Sequence, residues 1–293
     1  MKKNLIGDQA LTIFIYIVLA LGGIASFYPF IYVLSSSLSS GNAVIRGLVT
    51  LLPVEFTTDA YSYVLDDTVF WTSYGNTFYF TFFGTLYSMV LSTMGAYALS
   101  RRKLRFRRVF NLLLVFTMWF NAGMIPSYLN YTELGIKNSR IGIVMAFGVT
   151  AFNIILLKNY FENIPESLEQ AAMIDGANDF RIFGSIFLPL SKPALITVTL
   201  YYAIGRWNGF FWTMVLISEV EKTPLQVYLR KMIIEQDAVQ DEVAVSLFSS
   251  SATYSFETIV YAVIVCSMLP IIIVYPYIQK FFTKGIMVGG VKE

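Results

Sequence analysis

The sequence predicts an all-α, polytopic membrane protein with six transmembrane helices, and three observations predict it. Hydrophobic residues make up 56% of the 293 positions and charged residues only 14%, with a mean hydropathy of +0.62, whereas a soluble domain carries about a quarter charged residues. Uncharged runs of roughly 18 to 25 residues recur along the chain, about the length a helix needs to cross ~30 Å of hydrocarbon. Lysine and arginine gather between alternate runs, which is how cytoplasmic loops are marked.

The runs fall at about 10–36, 74–99, 109–130, 141–157, 193–217 and 258–279. The fourth is barely long enough to cross. Met1-Lys2-Lys3 ahead of an apolar run resembles a secretory signal with a small-residue site near "IAS", but the run continues through "FYPFIYVL", too far for a signal core. It is therefore read as the first span. With six spans, one side receives Lys2, Lys3, the cluster Arg101, Arg102, Lys103, Arg105, Arg107 and Arg108, then Lys158, Arg181, Lys192, Lys280, Lys284 and Lys292. The other side receives only Arg46, Lys137, Arg140, Lys222, Arg230 and Lys231. This asymmetry predicts cytoplasmic N- and C-termini in a cytoplasmic-membrane protein. The 101–108 cluster reads as a topology anchor against anionic lipid, and a net charge of +2 gives no reason to invoke nucleic acid.

Between the spans, the outer segments 38–73 and 218–257 are long enough to be more than turns. The first contains Pro53, Asp59, Asp66 and Asp67; the second sets Leu225, Val227, Leu229, Met232 and Ile233 among charges, predicting a short amphipathic helix or lid. No repeat, low-complexity tract or linker divides the chain, so residues 1–293 read as one transmembrane domain.

Residues 159–192 are too polar for a span and read as two short helices with a hinge. Pro165 suits a first helical position, and Ile164, Leu168 and Ala171 or Ala172 recur on one face. Gly176 is a natural C-terminal cap. Glu162, Glu166 and Glu169 share another face; Asn178 can cap a second helix carrying Phe180, Phe183 and Phe187 as an aromatic stripe, before Pro189 and Pro193 break the chain. Small residues beside an aromatic stripe suit docking into a cleft on another protein. An interfacial helix lying on lipid would instead carry lysine on its polar face, and this face is acidic.

Several classes of chemistry are excluded. A single cysteine, Cys266, and no histidine leave no disulfide framework and no zinc or haem ligand set, so Cys266 reads as a small hydrophobe. No acid falls within the six runs, which argues against a proton-coupled carrier. A secondary carrier or channel is the alternative class, but it calls for intramembrane acids, broken-helix repeats or a filter loop. No paired-carboxylate or metal site suggests an enzyme. The absence of a GxxxxGK[ST] loop assigns any nucleotide chemistry to a partner.

The string Gln170-Ala171-Ala172, three residues, Gly176, nine residues and then Ile186-Phe187-Leu188-Pro189 resembles the EAA loop of binding-protein-dependent ABC importer permeases. The surrounding "IPESLEQAAMIDGANDFRIFGSIFLPLSKPAL" is similar to the carbohydrate-uptake branch, in the subgroup of the second membrane subunit of the maltose importer. "AYALSRRK", "GMIPSYL", "WNGFFW" and "YPYIQKFFTKGIMVGGVK" extend the resemblance over roughly residues 70–293. It implies a MetI-like permease fold and an ATP-driven carbohydrate importer, with an oligosaccharide as cargo. The implied partners are a second permease, cytosolic ATP-binding subunits that hold the ATP and Mg²⁺, and an extracytoplasmic solute-binding protein; this chain binds no cofactor itself. On the same resemblance Glu169, Gln170, Ala171, Ala172, Asp175, Gly176, Ala177, Phe180, Phe183, Leu188 and Pro189 form the ATPase-coupling region. One departure stands out. The family's signature glutamate falls on Gln170, with Glu169 just before it, so either Glu169 takes over its contact with the ATPase or that contact is neutral.

For the cargo, Arg206, Trp207 and Asn208 in the fifth run supply the guanidinium, aromatic and amide groups that bind sugars. Arg206 either lines the pathway or braces the structure. Trp119 and Asn121 in the third run and Asn153 in the fourth are further pathway candidates, although for the two asparagines joining helices by hydrogen bonds is the favoured role.

Overall fold

The computed structural model describes residues 5–239 and 253–290, and the regular structure among them is helical. Lys2, Lys3, Lys292, the side chains of Lys280 and Lys284, and residues 240–252 of the second outer segment lie outside what it describes. The chain opens with α1 (Leu5–Ser37), followed by the short α2 (Gly41–Ile45) and α3 (Asp59–Asp66) and the long α4 (Thr68–Ser100). Next come α5 (Arg107–Trp119), α6 (Met124–Glu133), α7 (Arg140–Ala146) and α8 (Ala151–Glu162). The loop contains α9 (Glu166–Ile174), α10 (Asp179–Ile182), a π-helical turn at Phe183–Phe187 and α11 (Leu188–Leu190). Beyond it run α12 (Lys192–Asn208), α13 (Phe211–Leu216), α14 (Leu225–Val239) and α15 (Phe256–Gly290).

Three of these are long and apolar enough to cross a bilayer: Leu11–Ser37, Thr68–Ser100 and Phe256–Pro276. They match the first, second and sixth expected runs. The third run is not one straight helix, because α5 and α6 meet at 116°. There Gly123 takes a φ of +89° and its N–H donates to Asn121 Oδ1 at 2.9 Å, a local bond that replaces the helical ladder. The fourth run is bent by 54° between α7 and α8 and extends to Glu162. The fifth stops at Asn208 instead of 217, with Gly209 and Phe210 separating α12 from α13. The expected amphipathic helix at 225–233 is α14, with Leu225, Val227 and Met232 buried and Leu229 and Ile233 half-buried.

Contacts group the chain into two compact units, Met1–Phe70 with Leu229–Leu269, and Trp71–Tyr228 with Pro270–Glu293. In the first, α1 is exposed on all sides from Leu11 to Ile31, Tyr32 and Val33 are half-buried, and Ser35, Ser36 and Ser37 are buried. Ser35 donates to the Leu51 carbonyl at 2.7 Å, Gly41 N–H to the Thr253 carbonyl at 3.0 Å, and Tyr32 stands edge-on to Tyr261 at 5.9 Å. Cys266 is buried, as expected of a small hydrophobe.

The second unit is built on α4, whose polarity is inverted relative to a soluble helix. Ser73, Asn76, Thr77, Thr85, Ser88, Ser92 and Thr93 are buried, while Phe78, Phe82, Phe83 and Leu86 face outward. Small and hydroxylated residues permit close helix approach and hydrogen bonds where lipid supplies neither. Ser92 meets the Tyr202 hydroxyl at 2.6 Å, and Asn76 donates to the carbonyls of Glu221 and Thr223 at 2.8 and 3.0 Å. One core joins Ala96 of α4 to Ile154, Leu157 and Phe161 of α8, to Ile182 and Phe187 of the loop, and to Val198 and Tyr202 of α12.

Candidate functional site

The loop between α8 and α12 is built as its residue types dictate. After α9, the Gly176 N–H donates to the Met173 carbonyl at 3.0 Å and the Ala177 N–H to the Ala172 carbonyl at 2.9 Å. This is a Schellman termination, and it needs the φ of +78° that Gly176 adopts without a Cβ penalty. Asn178 Oδ1 then accepts from the Arg181 N–H at 2.9 Å and starts α10. The two short helices and the glycine cap are those the sequence predicts.

The aromatic stripe is not. Phe187 is 1% exposed and packs against Phe161 and Tyr97 at 5.7 and 5.1 Å; Phe183 is half-buried against Tyr97 at 5.0 Å. Only Phe180 remains outside, 78% exposed. The π turn at 183–187 shifts the register of the side chains that follow, so positions at α-helical spacing do not share a face. Of the residues expected to couple, Gln170, Ala171, Asp175, Gly176, Phe180 and Pro189 lie on the outward surface of the loop, together with Leu168, Leu190 and Ile174, the last 87% exposed. Ala172, Ala177 and Leu188 are half-buried, the two alanines packed against the core. Ile174 was not singled out by sequence, although an isoleucine at the end of a polar helix was the available signal.

The acidic face turns to the 101–107 segment. Glu169 pairs with Arg101, Glu162 with Arg107 and with Lys158 at 3.0 Å, and Glu166 with Arg102 at 3.0 Å. The basic cluster, expected only to anchor against lipid, thus also neutralises the loop's own carboxylates. Arg101 further lays its guanidinium over the rings of Phe187 and Tyr97, at 4.2 and 4.9 Å. The spacing of three acids one helical turn apart opposite a basic run was the legible signal for this pairing.

Within the second unit, a cavity of about 450 Å³ is lined by Asn153, Arg206, Asn208, Tyr201, Trp212 and Thr150, among others. Arg206, Asn208 and Asn153 are brought together as expected. Trp207 is not in this lining; it is 5% exposed and packed edge-on against Phe78 and Tyr74 at 5.2 and 6.1 Å. Trp119 is 87% exposed and Asn121 serves the α5–α6 break, so neither joins the cavity. Arg206 is placed for either of the two expected roles, and the structure does not separate them. It lines the cavity and donates to the carbonyls of Ile143, Val144 and Phe147 where α7 ends, and to Ser88 Oγ at 3.3 Å. A cation on the last carbonyls of a helix satisfies unpaired acceptors and complements the helix dipole. Gly84 makes this possible, since a Cβ there would stand 2.9 Å from the Arg206 Nε.

Residues 1–288 match the sequence model of the binding-protein-dependent transport system inner membrane component family. The chain is 40% identical over 264 residues to the polygalacturonan/rhamnogalacturonan transport system permease protein YtcP of Bacillus subtilis (strain 168), covering 90% of this chain and 92% of that one. It is 35% identical over 277 residues to protein LplC of the same strain, covering 94% and 93%. Among solved structures, a chain from a bacterial ABC transporter involved in the import of the acidic polysaccharide alginate matches with a TM-score of 0.88 and 50% identity, over 94% of this chain and 98% of that chain.

Proposed function

The chain belongs to the binding-protein-dependent transport system inner membrane components, and on that premise we propose that it is a permease subunit of an ATP-driven importer for an acidic oligosaccharide. In this reading α1, α4, the α5–α6 pair, the α7–α8 pair, α12 and α15 are six passes, with both termini and the 159–192 loop in the cytoplasm. The distribution of lysine and arginine supports that orientation. A solute-binding protein delivers cargo outside, this chain and a second permease form the pathway, and two ATP-binding subunits hold the ATP and Mg²⁺. Nucleotide binding draws the loops of the two permeases together and opens the spans outward; hydrolysis resets them.

The observation that carries the coupling reading is the exposed, uncovered end of α9 and start of α10. Ile174 and Phe180 are 87% and 78% exposed at the polar end of the unit, next to a glycine cap that fixes their direction. A large apolar pair presented by a short capped helix suits a cleft on another protein. Gly176→Pro tests the reading, because proline is fixed near a φ of −65° and removes the N–H that closes the cap. The variant is expected to insert normally yet lose ATP-driven uptake in reconstituted vesicles. Uptake at the wild-type rate contradicts the coupling role, and uptake that never needed ATP restores the secondary-carrier alternative.

An acidic cargo is supported from two directions. The relatives at 40% and 50% identity are named for galacturonan and alginate, both uronic-acid polymers. The cavity is lined by aromatic, amide and hydroxyl groups that suit a sugar ring, and among the described residues Arg206 is its one charged lining residue. A buried cation with no acid beside it favours a passing carboxylate. Competition of labelled oligogalacturonate uptake by charged against neutral oligosaccharides tests this; equal competition by a neutral glucan contradicts it.

A further inference from the structure

The family's signature acid is replaced by Gln170, and Glu169 sits beside it. The two side chains point to different neighbours: Gln170 is exposed, whereas the Glu169 and Arg101 side chains are only 16% and 18% exposed and pair with each other. Burial keeps such a pair from the screening that makes exposed pairs weak. Arg102–Glu166, by contrast, has 80% and 53% of its side chains exposed and adds little.

Arg101 also joins the two halves of the loop. It grips α9 through Glu169 and lies over Phe187 in the π turn. One turn earlier on α4, Tyr97 packs on Phe183 at 5.0 Å and donates to the Asp179 carbonyl at 3.3 Å. A displacement of the loop therefore carries the end of α4 with it, and a planar guanidinium suits both contacts, pairing with a carboxylate through its edge while its face lies on a ring.

We propose that Arg101 is a positioning residue that clamps the loop to α4 through Glu169 and Phe187, so that Glu169 serves this chain's own mechanics and, of these two neighbours, it is Gln170 that faces the ATPase. The proposal rests on the coupling reading above. It requires that breaking the clamp leave the ATPase docked while cutting the transmission of nucleotide binding to the spans.

The test uses the whole importer, with both permeases and the ATPase, in vesicles. Cys266→Ser removes the native thiol and Asn208→Cys puts a reporter on the cavity wall. The rate of maleimide labelling at 208 is read with and without Mg-ATP plus vanadate, alongside ATP hydrolysis and ATPase co-purification. In the reporter background, nucleotide is expected to change the labelling rate. Arg101→Ala and the milder Glu169→Gln are expected to retain the ATPase but to shrink that change by about tenfold, within the usual range of inter-site coupling. Arg101→Glu with Glu169→Arg is expected to recover part of it. A full nucleotide response in both single variants overturns the clamp, as does loss of the ATPase from Glu169→Gln, which would show Glu169 to be a docking residue. A reporter that ignores nucleotide in the unmutated clamp, or an importer without an ATPase, overturns the coupling reading itself.

Discussion

Arg206 shows how a residue type and its surroundings set a role that sequence leaves open. An arginine inside an apolar run must find acceptors, and here the broken end of α7 offers three carbonyls. The sequence identifies the charge and its cost; it does not identify the acceptors, because they belong to a break that no single residue marks. Gly84 was invisible for the same reason, since its lack of a Cβ matters only once Arg206 lies against it. Gly84→Ala is expected to destabilise the protein by about 1–3 kcal/mol, the usual cost of overpacking, read as a lower melting temperature in detergent. A melting temperature equal to wild type contradicts the close fit. Phe187 is the opposite lesson. Its spacing from Phe180 and Phe183 predicts a shared face, and the π turn turns it into the core.

At the scale of elements, the helices with strong local signals were legible: α9 with its glycine cap, α10 with Asn178, and α14 with its amphipathic pattern. The breaks within the third, fourth and fifth runs were not, because hydropathy measures composition and is indifferent to a change of direction. The outward pair on α9 and α10 gives a prediction of its own. Ile174→Asp or Phe180→Ala removes apolar area that is mostly exposed, so expression and folding are expected to hold. Affinity for the ATPase is expected to fall by roughly 30-fold, as for a hot-spot residue of about 2 kcal/mol, measured by titrating the ATPase onto permease in nanodiscs. Unchanged affinity in both contradicts docking through this surface. In α3, burial lifts the Tyr61 hydroxyl above its ordinary range, partly offset by the Ser37 hydroxyl that meets it at 2.7 Å. A raised acid stays protonated in the fold where the unfolded chain has already ionised. Its contribution to stability is thus complete below the ordinary tyrosine value, about 10, and is lost as pH rises through the lifted one. Tyr61→Phe is expected to flatten that alkaline loss in melting experiments; an unaltered slope contradicts it.

For the whole molecule, composition and charge asymmetry already specified a helical membrane protein, and the resemblance of the 169–190 loop specified its family. What they could not supply was how the chain's own charges are used: Glu169, Glu166 and Glu162 are matched by Arg101, Arg102 and Arg107, and the most exposed apolar side chains the loop leaves for a partner are Ile174 and Phe180, beside the exposed Asp175 and Asp179. Such a surface has a function only if a second protein covers it. Affinity capture of this chain from its native membrane in mild detergent, with mass spectrometry of what accompanies it, tests that directly. The account predicts a second multi-span permease and an ATP-binding subunit in the same complex. Recovery of the chain without an ATP-binding partner would contradict it and leave the loop as an unoccupied surface helix.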